Sequence, residues 1–334
     1  MIYCFWNNKG GVGKTFLTFT LASEHAYQHP DKKVLLVDMC PQANLSEIVL
    51  GGDGTGDVAL DRLLTSRKTV GGYFDERILS PHVTTGNETD YLLQGAPYNE
   101  ALPSNVHFLC GDPSLELQAQ VINQIGSQTL PPDTWKNVHK WLKNLIDACV
   151  RKLGGSETVD VFVDCNPSFS PYTELVLVAS DNVIIPCSSD GSSARALRNV
   201  RALVYENSAL YNGINFFSKC QANGLQLPLI HTIVLNRTTQ YSSKASTAFQ
   251  AMFDEIKRVA VAFKRDLPTY FTGGDMRFVD IPDHHSVAIV SCHTGKPLFA
   301  LTPGAYTVHD STLQITADSL ERYKAAIAQL ESSL

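Results

Sequence analysis

Short apolar runs alternate with stretches of helical periodicity along most of the chain. The run at 2–6 is followed by helical spacing over 14–28, a turn at His29-Pro30-Asp31, and a second run at 34–38 that is apolar on both faces. Strand, helix and strand in that spacing form a βαβ unit with parallel pairing. A run with no polar alternation predicts a strand covered by helices on both sides. The same reading predicts strands at 106–110, 159–164, 182–186, 229–236 and 278–282. It predicts helices at 59–64, 114–125, 134–152, 192–211, 242–264 and 317–334. Within 134–152, Val138, Leu142, Leu145 and Ile146 share one helical face. The glycines of 51–56 predict a flexible loop, and residues 70–104, rich in Gly, Thr, Asn and Pro, predict a surface excursion with one short element at Tyr91-Leu92-Leu93. There is no internal repeat. The pattern predicts one α/β domain over 1–334, with a predominantly parallel twisted sheet and helices on both faces.

Composition narrows the class without changing it. Of 334 residues, 44% are hydrophobic and 18% charged, as expected of a chain with a sizeable core. A net charge of −6 argues against a surface coated with positive charge but leaves room for a local basic patch. The eight cysteines form no C-x-x-C pair, so neither a zinc pattern nor a disulfide framework is read from them. No apolar run reaches transmembrane length and no signal segment precedes the first strand, which predicts a cytoplasmic protein. The final helix mixes Glu321, Arg322, Lys324 and Glu331 on its polar side, a pattern expected of a helix packed on the domain and not of a membrane anchor.

Candidate chemistry concentrates at Asn8-Lys9-Gly10-Gly11-Val12-Gly13-Lys14-Thr15, between the first strand and the first helix. Glycines let a loop turn tightly and bring backbone N–H groups close to phosphate oxygens. The helix N-terminus behind them adds partial positive charge and free donors. Lys14 is placed to reach the β and γ phosphates of a nucleotide, and the Thr15 hydroxyl to ligate Mg²⁺. The competing reading is a glycine-rich turn that happens to precede a helix.

The ordinary P-loop carries glycine where Asn8 stands; here Lys9 and two glycines follow instead. The stretch resembles the deviant P-loop of the ParA/MinD family, K-G-G-x-G-K-[ST]. Asp38-Met39-Cys40-Pro41-Gln42-Ala43-Asn44-Leu45-Ser46 resembles the family's D-x-D-P-Q-x-N-x-[ST], with Cys40 in place of the second aspartate. Val159 to Asp164, continuing Cys165-Asn166-Pro167-Ser168, resembles its Walker B region, D-x-P-P-S, with Asn166 replacing a proline. Pro41-Gln42 and Pro167-Ser168 point to ParA over MinD, and a chain starting at its first strand implies that the helix-turn-helix domain of long ParA forms is absent.

The resemblance implies a P-loop NTPase fold of the SIMIBI type, with ATP and Mg²⁺ as cofactors. Lys9, Gly10, Gly11, Val12, Gly13, Lys14, Thr15 and Phe16 would surround the phosphates, and Asn236, Arg237 and Pro282 the base. Thr15, Asp38 and Asp164 would hold Mg²⁺, and Lys9, Lys14 and Asp38 would carry catalysis. For Asn236 the alternative is a side chain capping the next turn. The implied partners are a second copy of the chain in an ATP-dependent homodimer, with Lys9 crossing to the partner's phosphates, and a ParB-like activator. Nonspecific DNA would be contacted through Arg195, Arg198, Arg201, Lys257, Arg258, Lys264 and Arg265, residues that equally suit solvated helix faces. Asp283-His284-His285 stands where relatives carry arginines. Cys40 implies slow ATP turnover, since a neutral thiol cannot orient a water as a carboxylate does. Two readings follow: an ATP-dependent switch that segregates or positions a DNA element, and an ATP-locked interaction protein acting on a protein partner.

Overall fold

The computed structural model describes residues 1–207, 213–238, 240–241, 244–245, 247–283 and 285–334. In chain order the strands are β1 (Ile2–Phe5), β2 (Lys33–Met39), β3 (Leu93–Gln94), β4 (Val106–Leu109), β5 (Val159–Cys165), β6 (Asn182–Ser188), β7 (Leu229–Thr238), β8 (Gln240–Tyr241), β9 (Lys244–Ala245), β10 (Phe278–Pro282), β11 (Gly304–Val308) and β12 (Ser311–Ile315). The helices are α1 (Lys14–Gln28), α2 (Asn44–Val49), α3 (Thr55–Thr65), α4 (Val70–Leu79), α5 (Leu115–Gly126), α6 (Thr134–His139), α7 (Trp141–Leu153), α8 (Pro171–Ala179), α9 (Ser193–Val200), α10 (Phe216–Ala222), α11 (Thr247–Asp266), α12 (His285–Thr294) and α13 (Ala317–Glu331).

Eight strands form one sheet in the order β10-β7-β6-β1-β5-β2-β4-β3, parallel throughout except for the edge pair β3–β4. The expected α/β class with a predominantly parallel sheet is therefore what the chain adopts. Alternate residues of the buried strands feed two cores, one on each face, which is why β1, β2 and β5 read as unbroken apolar runs. Val37, Val161 and Ile185 face one core with Trp141 and Leu175; Leu36, Phe162 and Ile184 face the other with Phe19 and Ile327. The two short hairpins, β8–β9 and β11–β12, stand outside the main sheet.

Several local expectations are corrected. Residues 70–104 are not a surface excursion throughout, because α4 buries Val70, Tyr73, Phe74 and Arg77 in the core. Adjacent glycines disguised this helix, and packing required them: a Cβ on Gly71 would lie 2.4 Å from Ser114 Oγ. The predicted helix over 134–152 is two helices, α6 and α7, that change course at Lys140. The one predicted over 192–211 regularises only to Val200, with a π-helical turn at Arg201–Tyr205; residues 208–212 lie outside the described residues. The one over 242–264 is α11, while 242–243 and 246 lie outside the described residues. His293 and Thr294 end α12, and α3 starts inside the expected glycine loop. The β11–β12 hairpin was not foreseen.

Candidate nucleotide site

β1 lies in the middle of the sheet between β5 and β6, so the loop after it opens where strand C-termini leave a crevice. Gly11 and Gly13 take φ of +73° and +84°, and Gly13 is the N-cap of α1. A Cβ on Gly13 would sit 2.3 Å from Asn236 Nδ2, so space as well as conformation requires glycine. Two amides tie the loop to the sheet, one reaching in from β7 and one reaching out from the loop to β6. Asn236 Nδ2 donates to the Val12 carbonyl at 2.8 Å, and Asn7 Nδ2 to the Pro186 carbonyl at 2.7 Å. Asn236 thus has a structural task in the phosphate loop itself. Lys14 is buried and donates to the Lys9 carbonyl at 3.1 Å, across the loop it belongs to. Burial pushes its ammonium pKa down, while Asp164 pulls the other way.

Register places Asp38 of β2 opposite Asp164 of β5, and both carboxyls are buried. Burial pushes both pKa values up, and the charge of Asp38 adds to the push on Asp164. Two such groups side by side call for positive charge. Asp164 Oδ2 accepts from Thr15 Oγ1 at 2.6 Å, while its buried Oδ1 has no hydrogen-bond partner among the described residues. An orphaned carboxylate oxygen beside a hydroxyl fits a hard cation such as Mg²⁺. Asp38 is differently placed. Its Oδ1 accepts from the Cys40 N–H at 3.0 Å, and its Oδ2 from the N–H and hydroxyl of Ser46 at 2.9 and 2.8 Å. Three protein donors thus hold Asp38 in place beside Asp164. The holding role of Ser46 was hidden in a position that reads as an ordinary helix start.

Cys40 lines the cavity and is 7% exposed. Burial first, then the charges of Asp38 and Asp164, push its thiol up to about 12. It is a neutral thiol at any physiological pH.

Lys9 does not point free into solvent. Its Nζ donates to Ser188 Oγ at 2.7 Å, to Ser193 Oγ at 3.2 Å and to the carboxylate of Asp190. Desolvation works against Asp190 ionising, but hydrogen bonds from Lys9 and Ser192 hold its carboxyl well below the usual carboxylate range. Asp190 was not singled out from sequence; its only local signal is a carboxylate between serines after a strand.

The cavity measures about 1070 Å³, roughly at the top of the usual range for ligand sites. Gly10, Gly11, Gly13, Lys14, Thr15, Phe16, Asn236 and Pro282 all line it. Asp53, His285, His293 and His309 line it as well, and sequence reasoning gave none of them a part in the site. His309 reaches it only because the β11–β12 turn folds over α12. Arg237 lies on the backbone of β7, its side chain outside the described residues. His284 also lies outside the described residues.

The basic residues suggested for DNA gather on α9 and α11. Arg198 and Arg258 both pair with Glu255 at 2.8 Å, Arg265 with Asp266 at 3.0 Å, and Arg201 with Glu206 and Asp266 at 2.6 and 2.9 Å. Lys257 and Lys264 lie over the rings of Phe278 and Phe271, and Arg195 is exposed. The patch exists, with much of its charge matched internally.

With the loop and the two facing carboxylates in place, comparison with known proteins is decisive on the family. Residues 3–331 match the model of the CobQ/CobB/MinD/ParA nucleotide binding domain. The chain belongs to this family. Chromosome partitioning protein ParA of Myxococcus xanthus is 25% identical over 286 residues, covering 84% of this chain and 78% of that protein. An uncharacterized protein of Mycobacterium tuberculosis is 29% identical over 193 residues, 57% of this chain; the chain spans about half of that relative, 48% of its length. Among solved structures, apo McdA of Cyanothece superposes with a TM-score of 0.63 at 16% identity, covering 98% of each chain. A putative plasmid partition protein of Borrelia burgdorferi bound to AMPPNP gives 0.57 at 16% identity, covering 100% of this chain and 99% of that one. Both structures share the fold of this chain. Among the described residues no helix is long and apolar enough to cross a membrane.

Proposed function

We propose that this chain is a ParA-like ATPase that works as an ATP-dependent dimerising switch and positions or segregates a DNA element. The observation that carries the proposal is buried Lys14 and buried Asp164 with half-buried Thr15 between solvent and the carboxylate, one carboxylate oxygen being without a hydrogen-bond partner among the described residues, beside a glycine-built phosphate loop. Thr15 and Asp164 would hold Mg²⁺, which when bound neutralises phosphate charge. Gly10 to Gly13 and the start of α1 bind and orient the triphosphate, and Lys14 stabilises charge on its terminal oxygens. Asp38 orients the loop to Ser46 and keeps the site's field negative where the cation sits. Lys9, released from Asp190, is the residue able to reach a second protomer.

The likeness to the Myxococcus ParA supports a positioning role, with a ParB-like activator and nonspecific DNA as partners. Cys40 favours a second reading, an ATP-locked interaction protein that hydrolyses little and acts on a protein partner. ATP turnover of the purified protein, with and without DNA, separates the two. Slow turnover that DNA stimulates supports the positioning switch; a protein that binds ATP with no turnover and no response to DNA supports the locked form.

A further inference from the structure

On the side of the sheet away from the nucleotide loop, α1 ends against the last turn of α13. His25 and His29 stand one helical turn apart, and Glu331 closes on both. His25 Nδ1 and His29 Nε2 each lie 2.9 Å from the same atom, Glu331 Oε1, and the three lie within 4.8 Å of one another. His25 and Glu331 are buried, with side chains 6% and 7% exposed, while His29 opens to solvent at 40%.

We propose that His25, His29 and Glu331 form a binding site for a divalent transition metal, Zn²⁺ by preference, with solvent in the fourth position. Two imidazoles and a carboxylate at a helical i, i+4 spacing are a zinc donor set, and imidazole nitrogen selects such metals over Mg²⁺ or Ca²⁺. A second observation supports it. The other ring nitrogen of His25, Nε2, lies 3.0 Å from Asp160 Oδ2, the carboxylate–histidine arrangement that orients a metal-binding ring. Asp160 is itself fixed by Lys32 at 2.8 Å and by the N-terminal amine at 3.1 Å. A neutral imidazole has one N–H. With Nε2–H on Asp160, Nδ1 presents a lone pair toward Glu331, and a cation between them resolves the contact. Tetrahedral ligation at about 2.0–2.1 Å separates ligand atoms by roughly 3.4 Å, so the present 2.9 Å contacts need to open by only about half an ångström. The turn that carries His29 is already braced, since Asn105 Nδ2 donates to the carbonyls of Ala26, His29 and Lys32. Metal there would pin the end of α13 to α1, far from the phosphate loop.

The test is titration of Zn²⁺, and of Co²⁺ for its visible absorption, into the untagged metal-free full chain with Mg²⁺ in excess. The expected result is one equivalent bound per chain, tetrahedral Co²⁺ bands, and a melting temperature raised by several degrees at about 100-fold excess over Kd. His29→Gln, at a half-exposed position, and Glu331→Gln should each lose that equivalent and the shift; His309→Ala, in the separate cluster by the cavity, should keep both. No zinc binding by the wild-type chain, or binding that survives both His29→Gln and Glu331→Gln, would overturn the proposal and leave protonated histidines bridging the two carboxylates.

Discussion

Lys9 Nζ donates to the carboxylate of Asp190 in its own chain, 181 residues away. Ser188 and Ser193 complete the hold, so the lysine that resembles the family's crossing lysine starts from a bound position. In the proposed dimer, Lys9 would have to leave Asp190 to reach the second protomer. Asp190→Ala should therefore strengthen ATP-dependent self-association by roughly 2- to 5-fold, the worth of a partly exposed ion pair. Sedimentation at a series of concentrations measures it; unchanged or weaker association would show that Asp190 does not compete with the crossing.

Cys40 stands on the cavity wall as a neutral thiol. Cys40→Asp should raise ATP turnover roughly 10- to 100-fold, the lower part of what a positioned acid–base group contributes. Phosphate release under single-site saturation reads this directly. A rapid wild-type rate, or no rise in the variant, would exclude Cys40 as the cause of slow hydrolysis.

Asn236 separates two roles that its sequence context left open. Its amide on the Val12 carbonyl makes it a brace of the phosphate loop. Asn236→Ala should weaken ATP and GTP by the same factor, roughly 3- to 10-fold for one buried hydrogen bond. Titration of both nucleotides decides: a loss confined to ATP would assign the residue to the base.

Acid should weaken the fold through two histidines that are neutral when folded. Burial, with Lys33 for His107 and Arg277 for His231, pushes both imidazoles down to about 4. Arg277 has only donors, so His231 Nε2 accepts from it at 2.8 Å and Nδ1–H donates to Thr232 Oγ1. Both rings are neutral when folded, whereas the unfolded chain takes up protons from about pH 6.5. For these two rings the unfolded state binds more protons between pH 6.5 and 4, so their contribution to stability falls as pH falls, opposite in sign to that of the raised carboxyls of Asp38 and Asp164. Discounted for partial solvent access, the loss at pH 5.5 is about 1 kcal/mol per ring. Denaturant midpoints from pH 7.5 to 5 check this, and His231→Gln should flatten the slope.

What the sequence disclosed follows contact distance along the chain. Gly11, Gly13, Lys14 and Thr15 were legible because the loop's chemistry is written in consecutive residues. Asp38 and Asp164 were legible because each ends an apolar strand, though only the β2–β5 register shows them face to face. The partner of Lys9 and the brace from Asn236 were not, since each spans more than half the chain. The helix α4 was hidden by Gly71 and Gly72, chosen for close packing against Asp112 and Arg67 at the expense of helix propensity. The β11–β12 hairpin turns through His309, at φ +49°, and Asp310, without the glycine that usually announces such a turn.

The mass of the purified chain in solution, measured with Mg²⁺ and either ATP or ADP, is the most direct test of the switch. The structure and family lead us to expect a dimer with ATP, a monomer with ADP, and a Lys9→Ala variant that binds ATP yet stays monomeric. A single mass in both nucleotides, or an ATP dimer that forms without Lys9, would contradict it.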